Sequence, residues 1–107
     1  MLISNTLSVA ANSVSANVIA GNEFEFLRKN SRIAVRATAS AANLFMRFSL
    51  NNVDVANDAL IPPSDRFPIV PDDHLVTVVG AAGTRLILTF RNNTAGALTA
   101  IWAIEIL

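Results

Sequence analysis

Two stretches in the middle of the chain alternate apolar and polar residues so regularly that they read as β-strands. From Arg32 to Ser40, Ile33, Val35, Ala37 and Ala39 interleave with Arg32, Arg36, Thr38 and Ser40, which predicts a strand with one buried and one wet face. From Leu44 to Leu50, Leu44, Met46, Phe48 and Leu50 share one side, with Phe45, Arg47 and Ser49 opposite. The link between them, Ala41-Ala42-Asn43, is short enough for a hairpin. Segments of this length bounded by Gly, Asn, Asp and Pro recur along the whole chain, as in a sandwich or barrel.

Asn51-Asn52 reads as a tight turn, because Asn tolerates left-handed backbone angles, and leads into a short strand at Val53 to Ala56. The segment Asp58 to Asp73 holds all four prolines, Pro62, Pro63, Pro68 and Pro71, which cannot donate to a ladder; it predicts a long ordered crossover spanning the sandwich. Leu75 to Val79 follows as a β-branched strand that stops at Gly80, with a small-residue turn through Gly83. Two further strands, Thr84 to Asn92 and Leu98 to Leu107, are joined by a loop from Asn93 to Ala97. At the other end lie a long neutral strand, Thr6 to Ile19 with a break near Asn12, and a short one at Glu23 to Leu27. The expectation is a single domain, 1–107, folded as an all-β antiparallel sandwich of about eight strands. Hairpins early and late with one long middle connection make it a jelly roll or Greek-key relative, with a seven-stranded immunoglobulin-like sandwich as the rival. The last strand is apolar on both faces apart from Glu105, which suits the middle of a sheet or an edge capped by a neighbour, and Trp102 belongs in the core. Met1 to Asn5 reads either as an N-terminal arm reaching a neighbouring subunit or as the first residues of a strand.

Only 15% of the residues are charged, against about 25% in an ordinary soluble domain, while 52% are apolar and mean hydropathy is +0.47. Either a neutral surface replaces charge, for which the eleven Asn residues speak, or other chains cover part of the exterior, as in an obligate oligomer or bound subunit. Eight basic and eight acidic residues cancel, so no long-range field steers the chain to nucleic acid or an anionic membrane. Seven of the eight basic residues are Arg, the side chain suited to fixed, partly desolvated pairs. Cysteine is absent, and stability must come from packing. The first 22 residues carry no charge, yet Ser and Asn interrupt them and no basic region precedes them, unlike a signal peptide. No stretch approaches the length of apolar chain that spans a bilayer.

The residues for catalysis are missing. His74 is the lone histidine, and in an extended chain it points away from Asp73, so Asp72-Asp73-His74 reads as a polar loop end and not as part of a triad. Adding Asp54 or Asp58 to these residues still gives neither calcium-loop spacing nor a histidine pair; no metal or other cofactor is expected. Glu23 and Glu25 share a strand face at a spacing of about 7 Å. They read as solvated or paired with Arg28, Arg32 and Arg36, while Phe24, Phe26 and Leu27 point to the core. Gly80-Ala81-Ala82-Gly83 lacks the lysine and helix of a phosphate loop. What remains is recognition: Arg66-Phe67-Pro68-Ile69-Val70-Pro71 sets an Arg beside an aromatic on a proline-stiffened loop, a composition favoured at interfaces, although such a crossover can equally pack on its own sandwich.

In size, in its Asn/Ser/Ala-rich neutral strands, in lacking cysteine and in its proline-bearing crossover at Pro62-Pro63 and Arg66 to Pro71, the chain resembles the small β-sandwich or jelly-roll decoration (cement) proteins of tailed bacteriophage capsids. The resemblance spans nearly the whole chain and carries no diagnostic motif. It implies a non-enzymatic structural virion protein, made in the host cytoplasm and seated as a homotrimer on the outer capsid surface. There it would grip and stiffen the major capsid protein, or another large assembly, through loops or an N-terminal arm. The resemblance transfers no binding residue; the interface residues expected from the loop and the N-terminal segment themselves are Leu2, Ile3, Arg66, Phe67, Ile69 and Val70. A carbohydrate- or receptor-binding sandwich module is the alternative, weakened by a lone Trp and no Tyr to form a sugar platform.

Overall fold

A computed structural model describes residues 2–22, 25–51, 53–61, 63 and 74–106. Eight strands run in chain order: β1 (Leu2–Val9), β2 (Ser13–Val14), β3 (Ser31–Ala39), β4 (Leu44–Leu50), β5 (Val53–Leu60), β6 (His74–Gly80), β7 (Leu86–Asn92) and β8 (Leu98–Ile106). They form two four-stranded antiparallel sheets, ordered β1-β8-β3-β6 and β2-β7-β4-β5. The pairing is nested: β1 pairs with β8, β2 with β7, β3 with β6 and β4 with β5, as in one long hairpin. Rolling that hairpin adds the β3–β8 and β4–β7 ladders, which gives a jelly roll.

This topology corrects the expected hairpins. Only β4 and β5 are joined as sequential neighbours within one sheet; Ala41-Ala42-Asn43 carries the chain from β3 in one sheet to β4 in the other, and Asn93 to Ala97 does the same from β7 to β8. The left-handed angles fall where the sequence placed breaks: Asn12 has φ 50°, Asn43 φ 72° and Asn51 φ 55°. The long neutral strand is two strands, β1 starting earlier than expected at Leu2. The segment Leu2 to Asn5 lies within β1 opposite Trp102 to Glu105, the second of its two readings. β5 runs on to Leu60, because two register shifts against β4 and a left-handed Asp58 (φ 52°) absorb extra residues. The expected crossover therefore starts later than Asp58: Asp58, Ala59 and Leu60 belong to β5, Ile61 is buried and Pro63 bridges to Ala39, while its remaining residues, the prolines Pro62, Pro68 and Pro71 included, lie outside the described set.

The core lies between the sheets. Ile33, Val35 and Ala37 of β3 and Trp102 and Ile104 of β8 meet Leu44, Met46 and Phe48 of β4 and Leu86, Leu88 and Phe90 of β7. β8 sits between β1 and β3, so an apolar strand occupies a middle position. β3 departs from simple alternation: its outward residues Ala34, Arg36 and Thr38 are buried as well, and only Arg32 on that face stays exposed. β6 ends at Gly80, where an added Cβ would lie 2.6 Å from Leu27 Cδ1 and 3.2 Å from Ile33 Cδ1. Glycine therefore lets the strand end close over the core.

Between β2 and β3 the chain forms a strap along the free edge of β7. Ser15 N donates to Phe90 O (2.8 Å) and Phe90 N donates back to Ser15 Oγ (2.9 Å). The Asn17 side chain imitates a peptide unit, Oδ1 accepting from Leu88 N (3.0 Å) and Nδ2 donating to Leu86 O (3.1 Å), while Val18 N donates to Leu88 O. Further on, Leu86 N donates to Glu25 O and Leu27 N to Thr84 O. The expected strand at Glu23 to Leu27 is thus reduced, in its described residues, to a single bridge between Phe26 and Arg85. Leu27 points into the core as expected, but Phe26 and Glu25 have exchanged their expected sides. Phe26 is 53% exposed, whereas Glu25 turns inward, accepting from Gly21 N (3.0 Å) and pairing with Arg85 (2.7 Å) instead of Arg28, Arg32 or Arg36.

Candidate functional site

The outward face of the β2-β7-β4-β5 sheet carries two ion pairs beside a set of hydroxyl groups. Strand alternation directs Phe45, Arg47 and Ser49 of β4 and Ile87, Thr89 and Arg91 of β7 away from the core, and the ladder sets Phe45 opposite Arg91 and Arg47 opposite Thr89. From β5, Asp54 receives both nitrogens of a fork from Arg47, Nε to Oδ1 at 3.2 Å and Nη2 to Oδ2 at 2.7 Å, and a hydroxyl bond from Ser49 at 2.7 Å. These donors, Arg47 first and Ser49 second, hold the Asp54 carboxyl below the usual aspartate range, and Asp54 in turn raises the Arg47 guanidinium. One strand turn away, Arg91 Nε meets Asp58 Oδ1 at 3.1 Å and its guanidinium carbon lies 4.6 Å from the centre of the Phe45 ring.

These pairs border two shallow, adjoining depressions of about 310 and 150 Å³ that share Val14, Arg47 and Thr89. Their floor is made of short side chains, Ser49 and Thr89, and their rim of ion pairs, so the face is wet, open and balanced in charge. The Asp54 carboxylate is held ionised by its guanidinium and hydroxyl donors, the reverse of what a general acid needs at neutral pH. Asp54 and Asp58, weighed above as cation ligands, direct their oxygens to Arg47, Ser49 and Arg91.

Of the expected interface residues, Leu2 is 49% exposed at the start of β1 opposite Glu105, and Ile3 is half-buried against the core opposite Ile104. Arg66, Phe67, Ile69 and Val70 lie outside the described residues, as do Glu23, Phe24, Asp72 and Asp73. Sequence reasoning missed the exposed apolar side chains of β5, Val53 (68%) and Leu60 (59%), because their strand has no clean alternation to reveal a wet side. It also missed the Arg47–Asp54 pair, which only the β4–β5 register brings together.

The architecture is a small jelly-roll sandwich. Compared with known proteins, the chain matches no family model, no curated protein and no solved structure.

Proposed function

We propose that the chain is a structural subunit that is completed by protein neighbours, and that its place is on the outer surface of a virus shell as a decoration protein. The observation that supports this reading is how the few charges are used. Arg47 with Asp54, Arg91 with Asp58 and Arg85 with Glu25 pair with one another within the fold, and Leu2, Val14, Val53, Leu60 and Val79 stand among them as exposed apolar side chains. A surface of this kind suits repeated contact with other chains more than free solution. Mass spectrometry of purified particles tests it: the protein present in fixed stoichiometry, with particles lacking it losing genome at lower temperature, is the expected result. Absence from intact particles would remove the reading.

The groove beside Arg47 and Asp54 supports a second reading, a saccharide-binding module, since fixed donors and acceptors on an open sheet face suit hydroxyl groups. Against it, Arg91 covers the Phe45 ring that would otherwise serve as a platform. A glycan array with no binding retires it.

A further inference from the structure

Among the described residues four strands lie at sheet edges, and three of them are interrupted. β2 is two residues long and the strap continues along β7 beyond it. β5 is broken by two register shifts. β6 keeps register with β3 from Val76 to Gly80 and then slips. β1 differs: all eight of its residues stay in unbroken register with β8, and Leu-Ile-Ser-Asn-Thr-Leu-Ser-Val contains no charge, proline or glycine. Edges are ordinarily protected by charge, proline, bulges or shortness, and β1 has none of these.

The direction of its free groups follows from two observations. Thr6 N donates to its neighbour's side chain, Asn5 Oδ1, at 2.8 Å on the exposed side. Across β8, Thr99 exchanges hydrogen bonds with Ser40 on the β3 side, so the odd-numbered residues of β8 face β3 and the even-numbered ones face β1. Both place the N–H and C=O groups of Leu2, Ser4, Thr6 and Ser8 on the open edge. An antiparallel partner copy must then oppose even residues to even residues, which puts a two-fold axis through a residue. With that residue Asn5, Ser4 meets Thr6 and Ile3 meets Leu7, so like meets like around the axis, and only the outermost pair, Leu2 with Ser8, is unlike. No charge on β1 opposes a like charge, hydroxyl faces hydroxyl, and the half-buried Ile3 and Leu7 extend the two cores toward each other.

We infer that β1 is a self-association edge, and that two copies of this chain pair β1 to β1 about Asn5 to form one continuous eight-stranded sheet. The inference rests on the reading of the chain as a subunit completed by neighbours, and it assigns a two-fold contact where the family resemblance implied a trimer. Asn5 has two positions in this scheme: in the lone chain it occupies Thr6 N–H, and in the pair it lies on the axis beside its own copy.

Light scattering and sedimentation of the full chain across micromolar concentrations test it. Wild type is expected at twice its 11.4 kDa mass. Asn5→Asp sets two carboxylates face to face across the axis, and at least tenfold weaker association at neutral pH is expected, recovering in acid as the pair takes up protons. Ser4→Pro removes an outward N–H and leaves the β8 ladder intact, so a folded monomer is expected. A wild type that stays monomeric overturns the inference, as does a dimer unmoved by both variants. Neither result bears on whether the protein is found on virus particles, which mass spectrometry of the particles decides separately.

Discussion

The uncharged first 22 residues meet an open sheet edge twice, at β1 and at the strap, and treat it in opposite ways. From Ser15 to Val18 the chain runs beside β7 and closes its edge with side chains that act as backbone, Asn17 filling the place of a peptide unit. From Leu2 to Ser8 the chain is itself the edge, regular and bare except for the Asn5 cap on Thr6 N. Both are uncharged and mix Ser and Asn with apolar residues, so a neutral stretch of this kind is not one structural thing. Where Asn side chains find buried backbone groups they replace charge as a source of internal order; where they face water they leave a surface that another strand can take up.

The largest effect is expected where the two regions meet. Asn92 is 1% exposed; its Nδ2 donates to Val9 O (3.0 Å) and Gly96 O (2.8 Å), and its Oδ1 accepts from Thr94 N (2.9 Å) and Thr94 Oγ1 (2.7 Å). It ties the end of β1 to β7 just before the chain enters the strap. Asn92→Ala leaves the buried Val9 O and the part-buried Thr94 N without this partner and is expected to cost about 3 kcal/mol in urea unfolding. A cost below about 1 kcal/mol would mean that the junction is not what holds the two regions in place.

Breaking the strap itself ranks next. Asn17→Ala uncovers Leu88 N and Leu86 O together, and a loss of about 1–2 kcal/mol is expected, with faster hydrogen exchange at Leu88. Asn17→Asp sharpens the point, since it keeps the acceptor for Leu88 N and removes the donor to Leu86 O, and is expected to fall between wild type and Ala.

The far end of the strap responds to acid. Gly21 N–H first and Arg85 second hold the Glu25 carboxyl below its ordinary value of 4.5. A lowered folded-state value means that stability from this group is fully present above the unfolded value and is lost as pH falls through the folded one. The unfolding midpoint of wild type is therefore expected to drop below pH 4.5, and Glu25→Gln to flatten that part of the curve. An unchanged acid limb in Glu25→Gln would place the titration elsewhere.

The same contrast explains what the sequence could reveal. Strand positions, the breaks at Asn12 and Asn51 and the burial of Trp102 follow from local period and turn chemistry, and those were legible. Which sheet a strand joins was not: three residues at Ala41-Ala42-Asn43 serve a hairpin or a step between sheets equally well, and only the rolled pairing decides. Phe26 and Glu25 exchanged expected places because a chain held by a single bridge need not alternate. Arg36 and Thr38 read as wet by alternation and are buried, since that pattern reports one face and not what covers the other. The site on the outer sheet depends on the β4–β5 register, shifted by bulges that no pattern in Val53 to Leu60 announces. The bare edge was not legible: that β1 lies at a sheet edge, and which of its groups point outward, follow only from the β8 ladder.

The smallest effect should come from Asn5, and its smallness carries information. Like Asn17, it accepts a bond from a backbone N–H at a sheet edge, but the group it serves is exposed and water can take its place. Asn5→Ala is therefore expected to change the stability of the dilute chain by less than about 0.5 kcal/mol, where Asn17→Ala costs several times that. Association should move the other way, because Thr6 N–H no longer has a local competitor and is free for a strand from a second copy. If Asn5→Ala unfolds the dilute chain as readily as Asn17→Ala, the β1 edge is already closed within the monomer. The difference between the two Asn residues would then vanish, and the two-fold pairing with it.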